Sequence, residues 1–215
     1  MELKELTKKI ESCKLCESIV FDGSVNVSEK PYIKYKVYEE RSPNTIKCLF
    51  TAESPPGDVN TFFYYPYTDN FLRKIPLKFL GINTGGEEGL REFQRRGYFP
   101  IDAVECRVKK TGGAAIPLEV INNCLNILSA KIELARTRGA KKIVVLGSTA
   151  LEALKMLRFT ELVGRSVTRN CGEVVESRRF KIFILPLPAR RGTKYVEQCY
   201  TDKVIDRLRR FVETE

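Results

Sequence analysis

The chain has 215 residues, 43% of them apolar and 30% charged, a balance that fits a globular protein and excludes a disordered or fibrous one. That length suits one well-cored domain over residues 1–215 and is marginal for two. The net charge of +10 points to a polyanionic partner. The longest apolar runs, Ile143–Leu146 and Ile182–Leu185, fall far short of the roughly 20 residues a membrane helix needs. The opening Met1-Glu2-Leu3-Lys4-Glu5-Leu6 is charged and lacks the apolar stretch of a secretory signal, so an intracellular, membrane-free location is expected. The chain contains no histidine and no tryptophan. Histidine catalysis and ligation are therefore excluded, and any base stacking falls to Phe or Tyr.

In chain order, Leu3 to Cys13 reads as a short helix with Leu3, Leu6 and Ile10 on one face. Between Val20 and Pro43, Gly23, Pro31 and several tyrosines suggest turns, extended segments and a small hairpin. Ile46–Ala52 is a buried strand that runs into the turn Glu53-Ser54-Pro55-Pro56-Gly57, and Phe62, Phe63, Tyr64, Tyr65 and Tyr67 crowd the next stretch. Helices are expected over Asp69–Leu80, interrupted near Pro76, and over Glu87–Arg96; Tyr98–Val104 is a second strand. After the glycine-rich Thr111-Gly112-Gly113, Pro117 opens a long helix to about Arg138. Its expected apolar stripe is Leu118, Ile121, Leu125, Leu128, Ile132 and Ala135. Lys142–Leu146 is a third strand, and a helix starts at Gly147-Ser148-Thr149 with Ser148 or Thr149 as N-cap. Phe180–Leu185 is a fourth strand, and a final helix covers Val196–Val212. Strands alternating with helices predict a largely parallel sheet covered on both faces. Ligands of such sheets bind outside the carboxyl ends of the strands.

Seven cysteines, an odd number in a reducing compartment, argue against a disulfide framework. Cys13 and Cys16 form a C-x-x-C pair; Cys106 lies just past the second strand and Cys124 in the long helix. Such a set can supply four thiolates to a [4Fe–4S] cluster or to zinc, or simply pack in the core. Cys48, Cys171 and Cys199 have no partner at ligand spacing, so burial is their expected state.

The order of these motifs resembles the iron–sulfur family 4 uracil-DNA glycosylases from about Cys13 to Tyr195. Ala52-Glu53-Ser54-Pro55-Pro56 stands where that family has G-E-A-P-G, and Phe62 or Phe63 where it has a base-stacking aromatic. Asp102-Ala103-Val104-Glu105-Cys106-Arg107 stands for N-x-V-K-C-R, Leu146-Gly147-Ser148-Thr149-Ala150 for L-G-x-x-A, and Leu185-Pro186-Leu187-Pro188 for H-P-S-P. The resemblance implies a three-layer α/β sandwich with a central four-stranded parallel sheet and helices on both faces. It implies a [4Fe–4S] cluster on Cys13, Cys16, Cys106 and Cys124. It also implies a monomeric DNA-repair enzyme that flips a damaged or non-standard base and hydrolyses its N-glycosidic bond.

Two departures bear on that chemistry. Leu185 occupies the position of the family's histidine and cannot donate a hydrogen bond to the departing base, a loss typically worth about 10²–10³ in rate. Asp102 occupies the position of the asparagine that reads uracil. An ionised Asp102 only accepts, which weakens uracil preference and suits a base edge with two donors. The candidate catalytic residues are Glu53 and Asp102. Ala52, Ser54, Phe62, Phe63, Asp102 and Leu185 are the expected base contacts. Arg190, Arg191 and Lys194 are expected to meet DNA phosphates. A DNA-binding protein of the same fold without catalysis, and a zinc-stabilised domain with an unrelated small-molecule substrate, are the alternatives.

Overall fold

The structure, a computed structural model, describes residues 3–19, 23–65, 71–110, 115–188 and 194–214. Its elements are α1 (Leu3–Ser12), β1 (Gly23–Asn26), α2 (Pro31–Lys34), β2 (Cys48–Ala52), α3 (Phe71–Phe79), α4 (Gly86–Arg95), β3 (Tyr98–Asp102) and β4 (Arg107–Lys110). They continue with α5 (Leu118–Thr137), β5 (Lys142–Leu146), α6 (Ser148–Met156), β6 (Val174–Glu176), β7 (Lys181–Leu185), α7 (Lys194–Cys199) and α8 (Asp202–Glu213).

The central sheet runs in the order β3-β2-β5-β7-β6. The first four strands are mutually parallel, and β6 pairs antiparallel with β7 at the edge. The sheet is therefore mixed and five-stranded rather than the four-stranded parallel sheet expected. Val174-Val175-Glu176 is too short to carry an alternation signal. Alternate residues of the inner strands feed two cores. Leu49, Ile143, Val145, Ile182 and Ile184 join the cluster shared with α1, α5 and α6. Cys48, Phe50, Val144, Phe183 and Leu185 join the cluster shared with α3, α4 and α8. Burial on both faces is why these strands read as continuous apolar runs. Among the described residues, no helix is long and apolar enough to cross a membrane.

A second, two-stranded sheet pairs β1 antiparallel with β4, Val25 opposite Val108. The hairpin expected within residues 20–43 is instead a long-range ribbon, which no local turn pattern announces. It ties the N-terminal segment to the chain just after Cys106, and α1 packs against α5 on the same side.

The long helix α5 buries Val120, Ile121, Cys124, Ile127, Leu128, Lys131, Ile132 and Ala135. Leu118, expected in the stripe, is 62% exposed. Ile121, Leu128, Ile132 and Ala135 of the expected stripe are buried, and the face also takes in Lys131, which an apolar pattern passes over. The expected final helix is two helices. Thr201 caps α8, its hydroxyl accepting from the Val204 N–H, and so starts a new helix where one was predicted to continue.

Cys199, at the end of α7, is disulfide-bonded to Cys171, with Cα atoms 5.9 Å apart. Neither is the lone buried thiol expected. Their sequence separation of 28 carries no spacing signal, and the fold alone brings them together. Closing a loop of that length should stabilise the protein by about 3 kcal/mol. A Cys171→Ser/Cys199→Ser variant is expected to lose that amount in urea denaturation under oxidising conditions.

Candidate functional site

Where β2 feeds β3 on one side and the chain returns to β5 on the other, a cavity of about 80 Å³ opens at the carboxyl ends of the strands. This is the switch point where open α/β sheets bind ligands. The volume lies well below the roughly 300–1,000 Å³ of pockets for drug-sized ligands and suits a single planar ring. Larger, more open hollows exist: one of about 470 Å³ lies between α1 and α2, away from the strand ends, and one of about 520 Å³ adjoins the cavity at Glu53, Ser54 and Leu187. Ala52, Glu53 and Ser54 reach the cavity from the end of β2, Asp102 from β3, Leu146 from β5, and Leu187 and Pro188 from the segment after β7. Tyr32, Phe62, Phe63 and Phe93 are among its walls.

Asp102 is the last residue of β3, paired with Ala52 across the sheet, and is 6% exposed. The Tyr32 side chain hydrogen-bonds its carboxyl. The ammonium of Lys131, itself 2% exposed, does not pair with that carboxyl; it donates to the Asp102 backbone carbonyl and to Glu105 Oε1. Tyr38 also donates to Glu105 Oε1, at 2.7 Å. Burial pushes the Asp102 carboxyl up to about 7; Lys131 opposes the rise and Glu105 adds to it. Near neutrality, Asp102 is therefore not the fully ionised acceptor that its residue type suggests.

Glu53 is held at both oxygens. Oε2 pairs with Lys110 at 2.8 Å. Oε1 accepts from the Thr149 N–H at 3.3 Å and the Ser148 hydroxyl at 3.4 Å. The N-cap of α6 is Gly147, not Ser148 or Thr149, and no side chain of its own caps the helix. Glu53 fills that role from the neighbouring strand, placing its charge at a helix N-terminus. Gly147 has φ +96°, and a Cβ there would sit 2.8 Å from Glu53 Oε1. Gly147→Ala is accordingly expected to cost about 1–3 kcal/mol in denaturant unfolding.

Phe62 is buried, stacked on Tyr35 and edge-on to Tyr32. Phe63 is partly buried against Phe93 and Tyr64. The buried Arg73 of α3 donates to the carbonyls of Phe63, at 2.8 Å, and Tyr65, fixing this aromatic segment. Leu185, expected to touch the base, is instead 1% exposed in the core that Phe183, Leu208 and Phe211 share. The residues of that segment that line the cavity are Leu187 and Pro188. Arg190, Arg191 and the Lys194 side chain lie outside the described residues, as does the glycine-rich loop at 111–114. Lys110, Lys131 and Tyr32 were not among the residues expected at the site. Only Lys131 left a signal, as a charge amid apolar positions on α5.

Of the four cysteines expected to act together, Cys16 and Cys124 hydrogen-bond each other through their thiols, and Cys106 lies within electrostatic reach of Cys13 and Cys16. The Asn123 side-chain amide donates to Cys16 Sγ at 3.7 Å, and the Glu105 backbone hydrogen-bonds Cys124. The bond to Cys124 lowers the Cys16 thiol to about 7. Burial pushes Cys106 up to about 12. Among the described residues, no three His, Cys, Asp or Glu side chains are grouped to hold one metal ion.

The mixed α/β sheet thus carries a small cavity at its switch point, lined by a buried carboxyl and by aromatic side chains. A family model describing the Uracil DNA glycosylase superfamily matches residues 40–209, and the chain belongs to that superfamily. The matched span leaves out Cys13 and Cys16. No curated protein matches the chain.

Proposed function

We propose that the protein is a DNA glycosylase-like enzyme that takes a damaged or non-standard base out of DNA and hydrolyses its N-glycosidic bond. The observation that carries this reading is the pair of carboxyls, Asp102 and Glu53, lining one ring-sized cavity in a member of this superfamily. Asp102 contacts the edge of the flipped base. Glu53, with its charge held by Lys110 and the start of α6, faces the developing positive charge on the sugar and accepts the proton of the attacking water. The electrons of the broken bond leave with the base.

A second reading, DNA binding without cleavage, is favoured by Leu187 and Pro188. They line the cavity from the segment after β7 and offer the departing base no side-chain donor. Base release from lesion-bearing oligonucleotides separates the two. The glycosylase reading expects release of at least one base, abolished in Glu53→Ala and Asp102→Ala. Tight binding with no release across the panel supports the second.

Four cysteine thiolates are a donor set that a [4Fe–4S] cluster uses and that zinc also takes; the resemblance to the iron–sulfur glycosylases favours the cluster. N–H donors at the sulfurs of Cys16 and Cys124 suit thiolate charge. Bound to these cysteines, the cluster would serve as a structural tie between the N-terminal segment, the β3–β4 connection and α5. Iron and sulfide analysis of the purified protein checks this. Both are expected in wild type and lost in Cys16→Ser.

DNA phosphates have a landing place beside the cavity mouth. A hollow of about 520 Å³ is bordered by Lys109 and Lys110, with Gly57, Asp58 and the Lys110-paired Glu53 also on its lining. Lys109 is exposed. Lys109→Ala is expected to reduce the log–log salt slope of duplex binding by about 0.9.

A further inference from the structure

We propose that Asp102 works as a neutral carboxylic acid that pairs with a base edge carrying a carbonyl oxygen beside an N–H, so that base selection follows its proton. The inference rests on the glycosylase reading of the cavity and names the edge that cavity takes.

The geometry is that of a buried carboxyl lining a cavity, with no cation among the described residues paired to it. The described charged neighbours that bear on it are engaged elsewhere. Lys131, from α5, is paired with Glu105, from the segment after β3, and with a backbone carbonyl. Glu53, from β2, is paired with Lys110. The Tyr38 hydroxyl donates to Glu105, and the Tyr64 hydroxyl to the Pro100 carbonyl at 3.4 Å. Tyr32, from α2, is the hydrogen-bond partner of the carboxyl itself. An ionised carboxylate without a cation is costly in such a place, and the group keeps its proton instead. Burial holds it up at about 7.

The two protonation states present different faces to an occupant. With Tyr32 donating to its carbonyl-type oxygen, the neutral acid keeps one O–H to give and one lone pair to accept. That pair complements the carbonyl/N–H edge of uracil or hypoxanthine through two hydrogen bonds. The ionised form has no donor, repels a carbonyl oxygen and fits an edge with two donors, as in guanine. An unmade hydrogen bond in a buried site costs enough to change binding by about tenfold to a hundredfold. The chain has no histidine, so few other side chains titrate between pH 5.5 and 8.5.

The test uses the holoprotein and single-stranded oligonucleotides with one central uracil or one central guanine, on 2′-fluoro sugars that block base release. Fluorescence anisotropy should show uracil binding weakening by about tenfold or more between pH 5.5 and 8.5, with guanine moving the other way. In Asp102→Asn, uracil binding should be flat across that range. An infrared difference between wild type and Asp102→Asn should show a protonated carboxyl band at pH 5.5 that vanishes by pH 8.5. A uracil-to-guanine ratio that does not move with pH, a pH response that persists in Asp102→Asn, or the absence of that band overturns the inference. Base release with a pH-independent ratio removes the inference and leaves the glycosylase reading standing. The predicted pH switch without release from any lesion keeps the inference and removes that reading.

Discussion

Replacing Lys131 with methionine is expected to destabilise the fold by about 3–5 kcal/mol. Lys131 projects from α5 into the apolar layer under the sheet, where its side chain is 1% exposed and that of its partner Glu105 2%. The substitution keeps the length and removes the charge. Glu105 then retains the Tyr38 hydroxyl as its hydrogen-bond donor, and its Oε2 has no partner even in the intact protein. The Asp102 carbonyl loses its donor at the floor of the cavity. Urea denaturation should report the full cost. Removing the opposite charge as well, in Lys131→Met/Glu105→Gln, should recover more than half of it, because no unpaired charge then stays buried. An additive double variant would mean that the two side chains stabilise the fold independently.

How much of the fold and site was legible depends on where the information sits. β2, β5 and β7 are short apolar runs buried on both faces, and runs of that kind announce themselves locally. The parallel order comes from their alternation with helices, and the parallel order puts Glu53 and Asp102 at one rim. Membership of the uracil-DNA glycosylase superfamily was likewise readable, from motif order, and the family match over residues 40–209 bears it out. What stayed hidden depends on partners far away in the chain. β1 is a strand only because β4 lies beside it. Cys171 and Cys199 are joined only because α7 returns to the edge of the sheet near β6. Leu185 occupies the histidine position in the motif, yet Leu187 and Pro188 reach the cavity. The upward shift of the Asp102 carboxyl was hidden in the same way. Residue type alone says acceptor, and only the burial around it says otherwise.

Asp102→Asn is expected to gain stability over wild type as pH rises, by on the order of 4 kcal/mol at the alkaline plateau. The folded carboxyl titrates at about 7, against about 3.9 in the unfolded chain. Below the lower value both states are protonated and the group contributes no pH dependence. Between the two, the unfolded chain ionises first while the folded state holds its proton. The folded state then binds more protons, so unfolding becomes easier with each pH unit, by up to about 1.4 kcal/mol. Above about 7 both states are ionised and the whole penalty is present. Asparagine does not titrate, and its carbonyl oxygen can still accept from Tyr32. The variant-minus-wild-type difference should therefore rise from about pH 4 and level off above about 7. Other carboxylates titrate in both proteins and cancel. Urea unfolding of the pair at intervals from pH 4 to pH 9 measures the curve, and a flat difference would show that Asp102 ionises in the fold as it does in water. The pH at which the difference stops growing is the folded-state titration point. It should coincide with the midpoint at which uracil and guanine exchange preference, because one proton governs both.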